Sequence, residues 1–143
     1  MPRRIAAKIT GVTGYVPPKV MSNADLEKIV ETTDTWIQER TGIRERHVAG
    51  PGIAASDLAA AAAKELLESR HVPPEEIDLI VVASVTPDML FPATACLVQN
   101  KIGATHAWGF DLSAACSGFV YALTVADAMI KTGSFRKNHD LWC

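Results

Sequence analysis

Residues 107–132, AWGFDLSAACSGFVYALTVADAMIKT, decide the fold of this chain. The apolar residues 107–112 predict a strand, and the run 117–132 predicts a helix that is apolar on nearly every side and therefore buried. Between the two lie small residues and one cysteine, Cys116, where a strand turns into a helix. This order is typical of an α/β sheet that carries a reactive side chain at the end of a strand.

The remaining sequence alternates between predicted strands and predicted helices. Apolar segments predict strands over residues 5–12 and 77–83, and the run LIVVA in the second is typical of a strand buried on both faces. Residues 43–53 are rich in charge and glycine and predict a solvated connection. Long helical crossovers between strands favour a mostly parallel sheet, so the predicted fold class is α/β. Ser22 is predicted to cap a short helix that starts at Asn23, and Thr33 a second one that ends at Gly42. Ser56 or Asp57 is predicted to start a third helix, and Pro92 to lie in the first turn of a fourth.

The last residues break this alternation. A further buried strand is expected after residue 132, but the segment NHDLWC, residues 138–143, contains poor strand formers. We therefore expect a sheet truncated before its fourth strand, with a half-domain over residues 1–137 and a non-matching tail over residues 138–143. A shifted reading frame or a truncated gene would produce such an ending.

The composition excludes several classes of protein. The 143 residues are 48% hydrophobic and 21% charged, which is typical of a globular protein and not of a disordered one. A formal net charge of −2 gives no electrostatic reason to expect nucleic acid or a membrane, and no apolar run is long enough to cross a bilayer. Three widely spaced cysteines fit a reducing cytoplasm, and the four histidines lack the spacing of a metal site.

Cys116 is the first candidate for chemistry. A lone cysteine is most often a small, buried hydrophobic residue. Here its neighbours are small, so the turn is open to a ligand, and free N–H groups and the dipole of the next helix favour a thiolate. The residues alone leave both interpretations open, a core residue or a nucleophile at the mouth of the sheet. Cys96 lies in a predicted helix and is interpreted as core, and Cys143 as incidental.

Three further residues are candidates for binding. Trp36 and Arg40 are four residues apart on a predicted helix and share one of its faces. A tryptophan packed under an arginine stem explains this spacing, and it is the interpretation that the spacing alone favours; the other is a pair of flat groups that holds a planar base. Phe91 lies in the loop after the second predicted strand, where it either lines a pocket or covers the sheet.

Taken together, these residues resemble the β-ketoacyl-[acyl carrier protein] synthase III family, the initiating condensing enzymes of bacterial fatty-acid synthesis. The pairing of the pattern WI-x-x-RTGI-x-ER, residues 36–46, with AAC-x-GF, residues 114–119, is much more specific than either pattern alone. The segments that carry the resemblance are ITGVTGYVPP, SNADLEKIVETTDTWIQERTGIRERH, IDLIVVASVTPDMLFPATACLVQNKIG and FDLSAACSGFVYALTVADAMIKTG.

The resemblance implies a thiolase-like fold of two similar halves, of which this chain matches the first. In the family, the cysteine that matches Cys116 is acylated by acetyl-CoA or another short acyl-CoA. The acyl group is then condensed with malonyl-acyl carrier protein, with loss of carbon dioxide. Trp36 and Arg40 match residues that sandwich the CoA adenine, and Thr32 matches a further CoA contact. Acyl-CoA is a substrate, and no separate cofactor or metal is implied.

The resemblance also implies a homodimer and a limit to the activity of this chain. Phe91 matches a residue that reaches across a homodimer interface into the acyl pocket of the partner. The histidine and asparagine that support decarboxylation lie in the second half of the family's fold, so we expect the 143-residue chain alone to lack condensing activity. From the cysteine content a cytoplasmic location is expected, and from the charge neither nucleic acid nor a membrane is expected as a partner.

Other functional classes stay open at this point. One is a non-catalytic half-domain that binds CoA or pairs with a separate second half, and another is a non-functional gene remnant. For the parent enzyme, the nearest alternative is a secondary-metabolite synthase of the thiolase superfamily.

Overall fold

The computed structural model describes residues 7–133 and the backbone of residues 140–142. Two compact units make up the chain. Val16–Ile53 form the smaller unit, and the segments on either side of it form the larger one, which we call the α/β unit.

The smaller unit contains a two-stranded sheet and two helices. Strand β1, Lys19–Ser22, pairs antiparallel with strand β2, Glu45–Val48. Helix α1 comprises Asn23–Leu26, and helix α2 comprises Asp34–Thr41. The prediction that residues 43–53 form only a solvated connection is therefore wrong for β2. Charged residues are poor strand formers, and here pairing with β1 overrides that preference.

The ends of both short helices are as the sequence predicts. The Ser22 hydroxyl accepts a hydrogen bond from the Asp25 N–H, and the Asp25 carboxylate accepts one from the Ser22 N–H, so the start of α1 is capped on both sides. The Thr33 hydroxyl accepts from the Trp36 N–H at the start of α2. Gly42 ends α2 in the left-handed conformation, with φ of 73°.

The α/β unit contains a three-stranded parallel sheet in the order β4-β3-β5. Helices connect these strands, and the predicted parallel α/β architecture is confirmed. Its elements are α3 (Ala55–Arg70), β3 (Leu79–Ala83), α4 (Thr94–Ile102), β4 (Trp108–Leu112), α5 (Gly118–Lys131) and β5 (Asp140–Trp142).

Strand β3 separates two cores. Ile80 and Val82 pack on one face of the sheet, in a cluster with the buried faces of α3 and α4. Leu79 and Val81 pack on the other face, against Ala122 and Ala126 of α5. The continuous apolar run of this strand thus follows from burial on both faces, as predicted.

The ends of the α/β unit differ from the sequence-based predictions. Residues 7–12 do not form the predicted strand: the Thr13 hydroxyl donates to Ala62 O over 2.9 Å, and Gly11 lies close against Leu66, so this segment runs along α3. A short strand, β5, forms where none was expected, because pairing with β3 supplies the backbone hydrogen bonds that poor strand formers do not favour alone.

Helix α5 is less buried than its composition predicts. Its buried residues are Gly118, Ala122 and Ala126, which face the sheet. Phe119, Val120 and Tyr121 are exposed. The prediction of burial on all sides is therefore wrong for the described chain, because a single layer of sheet covers only one face of a helix.

No helix in the described part of the chain is long and apolar enough to cross a membrane. Among the same residues, no three histidine, cysteine or carboxylate side chains come together as a metal site.

A carboxylate at the start of α3 makes the stability of the α/β unit pH-dependent. Asp57 accepts hydrogen bonds from the Ala54 N–H, at 3.0 Å, and from Lys101 Nζ, at 2.5 Å. These contacts, the first more than the second, hold the pKa of Asp57 below its usual value of 3.8. Because the folded pKa is the lower one, this stabilisation is present above the unfolded pKa and is lost as the pH falls through the folded pKa.

We therefore expect the free energy of unfolding in urea to decrease as the pH falls from about 5 to about 2, and to decrease less steeply in Asp57→Asn. Parallel slopes for the two proteins over this range would show that Asp57 contributes nothing to the acid dependence.

Candidate active site

Cys116 lies on a short turn between β4 and α5, as the sequence predicts. The turn is one round of 3₁₀ helix, Ala115–Ser117, and Gly118 continues it into α5. Ala115 has a φ of 45°, a left-handed conformation that non-glycine residues rarely adopt and that costs about 1–3 kcal/mol. The Cys116 side chain is exposed. A sharp, strained turn thus presents the thiol to solvent, and the interpretation of Cys116 as a buried core residue is wrong.

The hydrogen bonds of this turn use the N–H groups of Ser117 and Gly118 but not that of Cys116. The Ser117 N–H donates to Ala114 O at 3.0 Å, and the Gly118 N–H donates to Ala115 O. In the described residues, no acceptor takes the N–H of Cys116, as is usual for the first residues of a helix. An oxygen that becomes negative next to the thiol can therefore be bound by this backbone N–H.

Two glycines let a helix pack closely on a strand, Gly118 of α5 on β3 and Gly109 of β4 on α4. A Cβ atom on Gly118 would lie 3.2 Å from Ala83 Cβ at the end of β3, and one on Gly109 would lie 3.2 Å from Ala95 Cβ. Ala83 pairs with Leu112, so β3 and β4 end side by side. Cys116 therefore stands beyond the carboxyl ends of parallel strands, where α/β sheets place their ligands.

Asp111 connects β4 to the neighbouring helix. Its two carboxylate oxygens accept hydrogen bonds from the Thr94 N–H at 2.7 Å and the Ala95 N–H at 2.8 Å. The first N–H groups of α4 need such a partner, and a carboxylate also suits the positive end of the helix dipole. Asp111 was not among the candidate residues predicted from the sequence, although an acidic side chain in an otherwise apolar strand was a signal for it.

The loop after β3 is held in place by hydrogen bonds at Asp88, and its Phe91 side chain is exposed. The Asp88 carboxylate accepts hydrogen bonds from the Ser56 N–H at 2.8 Å and the Ser56 hydroxyl at 2.5 Å, and Lys101 Nζ donates to the same hydroxyl at 2.6 Å. Ser56 is fully buried. Beyond this anchor Phe91 is 87% exposed, so it does not cover the sheet.

No base accompanies the thiol within the described residues. None of their hydrogen bonds joins Cys116 to another side chain, and the one other described cysteine, Cys96, lies half-buried on α4. His139 and Cys143 lie outside the residues that the structure describes.

In the smaller unit, the start of α2 borders an open cavity of about 240 Å³. Thr32 and Trp36 line it together with Glu31 and Thr33. The Trp36 side chain is 56% exposed, so its indole face is available to a flat ligand. Arg40 lies one helical turn further along and is exposed, but it does not line the cavity. The structure thus brings Thr32 and Trp36 together, with Arg40 at the next position of the same helix face.

The chain is similar to a set of known proteins. Residues 110–138 match the family of 3-oxoacyl-[acyl-carrier-protein (ACP)] synthase III. The β-ketoacyl-[acyl-carrier-protein] synthase III of Koribacter versatilis is 57% identical over 92% of this chain, which is 39% of that protein. The chain spans about 40% of the length of such relatives.

Solved structures agree. The crystal structure of 3-oxoacyl-[acyl-carrier-protein] synthase III from Aquifex aeolicus is 52% identical, with a TM-score of 0.83 over 88% of this chain and 41% of that one. The priming β-ketosynthase of the R1128 polyketide pathway is 38% identical, with a TM-score of 0.87 over 95% of this chain and 41% of that one. The fold is thiolase-like. In sequence and in fold, the chain is homologous to the amino-terminal part of the β-ketoacyl-[acyl-carrier-protein] synthase III family.

Proposed function

We propose that Cys116 is a nucleophile that accepts an acyl group from a short acyl-CoA, such as acetyl-CoA. The observation that carries this proposal is the exposed thiol on a strained turn at the carboxyl ends of β3 and β4. The small neighbours of Cys116 and the exposure of its side chain leave room for a thioester to approach the sulfur.

The acylation step needs only one sulfur and one donor on this chain. The Cys116 sulfur attacks the thioester carbonyl carbon, and the Cys116 N–H donates to the oxygen as it becomes negative. The intermediate collapses with cleavage of the bond to the CoA sulfur. The acyl group stays on Cys116 as a thioester. The Cys116 thiol releases its proton to solvent, and the departing CoA thiolate takes up a proton from solvent.

Trp36, Arg40 and Thr32 are proposed to recognise the nucleotide end of CoA. The exposed indole of Trp36 offers a stacking face for adenine, and the guanidinium of Arg40 offers a second flat, charged group for the base or a phosphate. Thr32 contributes a hydroxyl at the cavity beside the indole.

The complete reaction is proposed only for a polypeptide that also contains the second half of the family's fold, as the resemblance implies. There the acyl group on Cys116 condenses with malonyl-acyl carrier protein. Carbon dioxide leaves, the resulting carbanion attacks the acyl carbonyl, and the Cys116 thiolate departs from a 3-oxoacyl product. The resemblance implies that the histidine and asparagine for this step lie in the family's second half, so the 143 residues alone are proposed to stop at the acyl-enzyme.

Phe91 is proposed to contact a second copy of the chain and to help close its acyl pocket. The 87% exposure of this aromatic ring supports a contact outside its own unit, because large apolar side chains that stand clear of the surface often mark interfaces.

Truncating the indole tests nucleotide recognition. We expect Trp36→Ala to lower the rate of acetyl transfer from dilute acetyl-CoA by about fivefold or more, since base stacking on an aromatic side chain is worth about 1–3 kcal/mol. The rate with the acetyl thioester of N-acetylcysteamine, which keeps the thiol end of CoA and lacks the nucleotide, should not change. Intact-protein mass spectrometry over time measures both rates.

The ratio of the two rates is the CoA preference of the protein, and Ile29→Ala is the matched control. Ile29 is also exposed and lies in the same unit, but it does not line the cavity. An unchanged CoA preference in Trp36→Ala, whether neither rate falls or both rates fall equally, would refute the assignment of Trp36.

A second candidate function has one observation behind it. The likeness to the R1128 priming β-ketosynthase extends over 95% of this chain. A polyketide priming enzyme would use the same acyl-cysteine step with a different starter acyl group. Comparing acetyl-CoA with longer and branched acyl-CoA thioesters in the acylation assay distinguishes the two, and the higher identity to the synthase III relatives favours acetyl-CoA.

A further inference from the structure

Helix α2 has few apolar contacts to fix its position. Of its eight residues, Ile37 alone is buried, although the helix carries Trp36 and Arg40. An isolated helix this short is not stable in water, so contacts with other parts of the unit must hold it. Since one buried isoleucine cannot set the rotation of a helix, polar contacts must do so.

Asn23, at the start of α1, provides these contacts. Its side-chain amide donates to Asp34 Oδ1 at 2.7 Å and to the carbonyl oxygen of Ile43 at 2.9 Å. Asp34 is the first residue of α2, and Ile43 follows the glycine that ends it. One amide group therefore holds both ends of the helix.

The burial of Asn23 makes this arrangement specific. The residue is 2% exposed, and its side-chain oxygen accepts a hydrogen bond from Arg46 Nη2. Both amide protons and the oxygen therefore have partners, so no polar group of this side chain is left unsatisfied. An apolar residue here would leave several partners without a bond, and an aspartate would face the Asp34 carboxylate.

Asp34 is suited to be the acceptor. Hydrogen bonds from Asn23 and, next in size, from Gln38 lower the pKa of Asp34 from its usual value of 3.8. A charged acceptor strengthens the bond that it receives. The Glu27 carboxylate also accepts from the Asp34 N–H at 2.6 Å, so Asn23 and Glu27 both attach the first residue of α2 to the preceding part of the unit.

We propose that Asn23 is a positioning residue that sets the orientation of α2 and thereby the affinity of this surface for the nucleotide of CoA. This inference rests on the proposed function of Trp36 and Arg40. Asn23 itself does not touch the ligand, and it acts through Asp34 and the backbone at Ile43.

The test exchanges the partners of one hydrogen bond. Asn23→Asp brings two carboxylates together, and we expect it to lower the CoA preference by about tenfold or more, with the rate for the N-acetylcysteamine thioester unchanged. The reciprocal variant N23D/D34N again pairs an amide with a carboxylate, and it should regain at least half of the lost preference on a logarithmic scale. Lys28→Ala is the control, because the Lys28–Asp25 ion pair is exposed and does not involve α2.

The outcomes separate the inference from the function on which it rests. If Trp36→Ala lowers the CoA preference and Asn23→Asp does not, the inference is overturned and the function stands. The same holds if N23D/D34N is no better than Asn23→Asp, which would indicate general damage to the unit. If Trp36→Ala leaves the CoA preference unchanged, the proposed nucleotide site is wrong and the inference fails with it. Recovery in the double variant supports positioning, even where Asn23→Asp alone is poorly folded.

Discussion

Cys116→Ala should reduce the acetylation of this protein by acetyl-CoA to background, a loss of at least about a thousandfold. The exposed sulfur is the group to which the acyl carbon bonds, so no other part of the turn can replace it. The Cys116 N–H, which belongs to the backbone, remains in the variant, and its retention cannot compensate for the missing sulfur. Intact-protein mass spectrometry after incubation with acetyl-CoA measures the effect.

Cys96→Ala is the matched control for this variant. Cys96 is also a free cysteine, but it lies half-buried on α4 and not on the strained turn. We expect its replacement to leave the rate of acetylation within about twofold of the original, because the Cys96 sulfur is partly covered and lies within a helix rather than on an open turn. Acetylation that persists in Cys116→Ala and disappears in Cys96→Ala would reverse the assignment.

Leu79→Ala should lower the free energy of unfolding by about 2–5 kcal/mol. Leu79 is fully buried in β3, and it packs against the face of α5 that contains Ala122 and Ala126. Its truncation removes apolar contact and leaves a cavity between the sheet and the helix that follows the Cys116 turn. Urea unfolding followed by circular dichroism measures the loss.

Leu90→Ala is the control that the chain itself offers. Leu90 is the same residue type but is 99% exposed, in the loop after β3. Its replacement should change the free energy of unfolding by less than about 0.5 kcal/mol. A loss below about 1 kcal/mol for Leu79→Ala, or an equal loss for the two variants, would show that β3 is not the centre of the core.

The sequence predicts the fold of both units well where local and tertiary signals agree. The run LIVVA of β3 is apolar at every position because both faces of the strand are covered. Caps at Ser22 and Thr33 and the glycine that ends α2 depend on local hydrogen bonds, which the residue types alone determine.

Predictions fail where pairing partners decide the outcome. Residues 7–12 have the composition of a strand but lie along α3, since Gly11 lets the backbone approach Leu66. β2 and β5 were not predicted as strands from their composition, but β2 pairs with β1 and β5 pairs with β3. Neither result can be deduced from local propensity, because each depends on residues far away in the chain.

Some features of the candidate site can be predicted from the sequence, and others depend on the fold. The position of Cys116 between a strand and a helix can be read from the sequence, whereas the φ of Ala115 cannot, because alanine has no preference for that conformation. The long-range roles of Asp111 and Asn23 also depend on contacts that only the fold creates. A polar residue in an apolar strand and an asparagine at a helix start were the available signals.

Mapping the site of acetylation tests the central claim most directly. The unmodified chain is incubated with acetyl-CoA, digested and analysed by mass spectrometry, with and without hydroxylamine, which cleaves thioesters. We predict one acetyl group on the peptide that contains Cys116, and its removal by hydroxylamine. No adduct, or an adduct confined to Cys96, Cys143 or a lysine, would contradict the assignment of Cys116 as the acyl-accepting nucleophile.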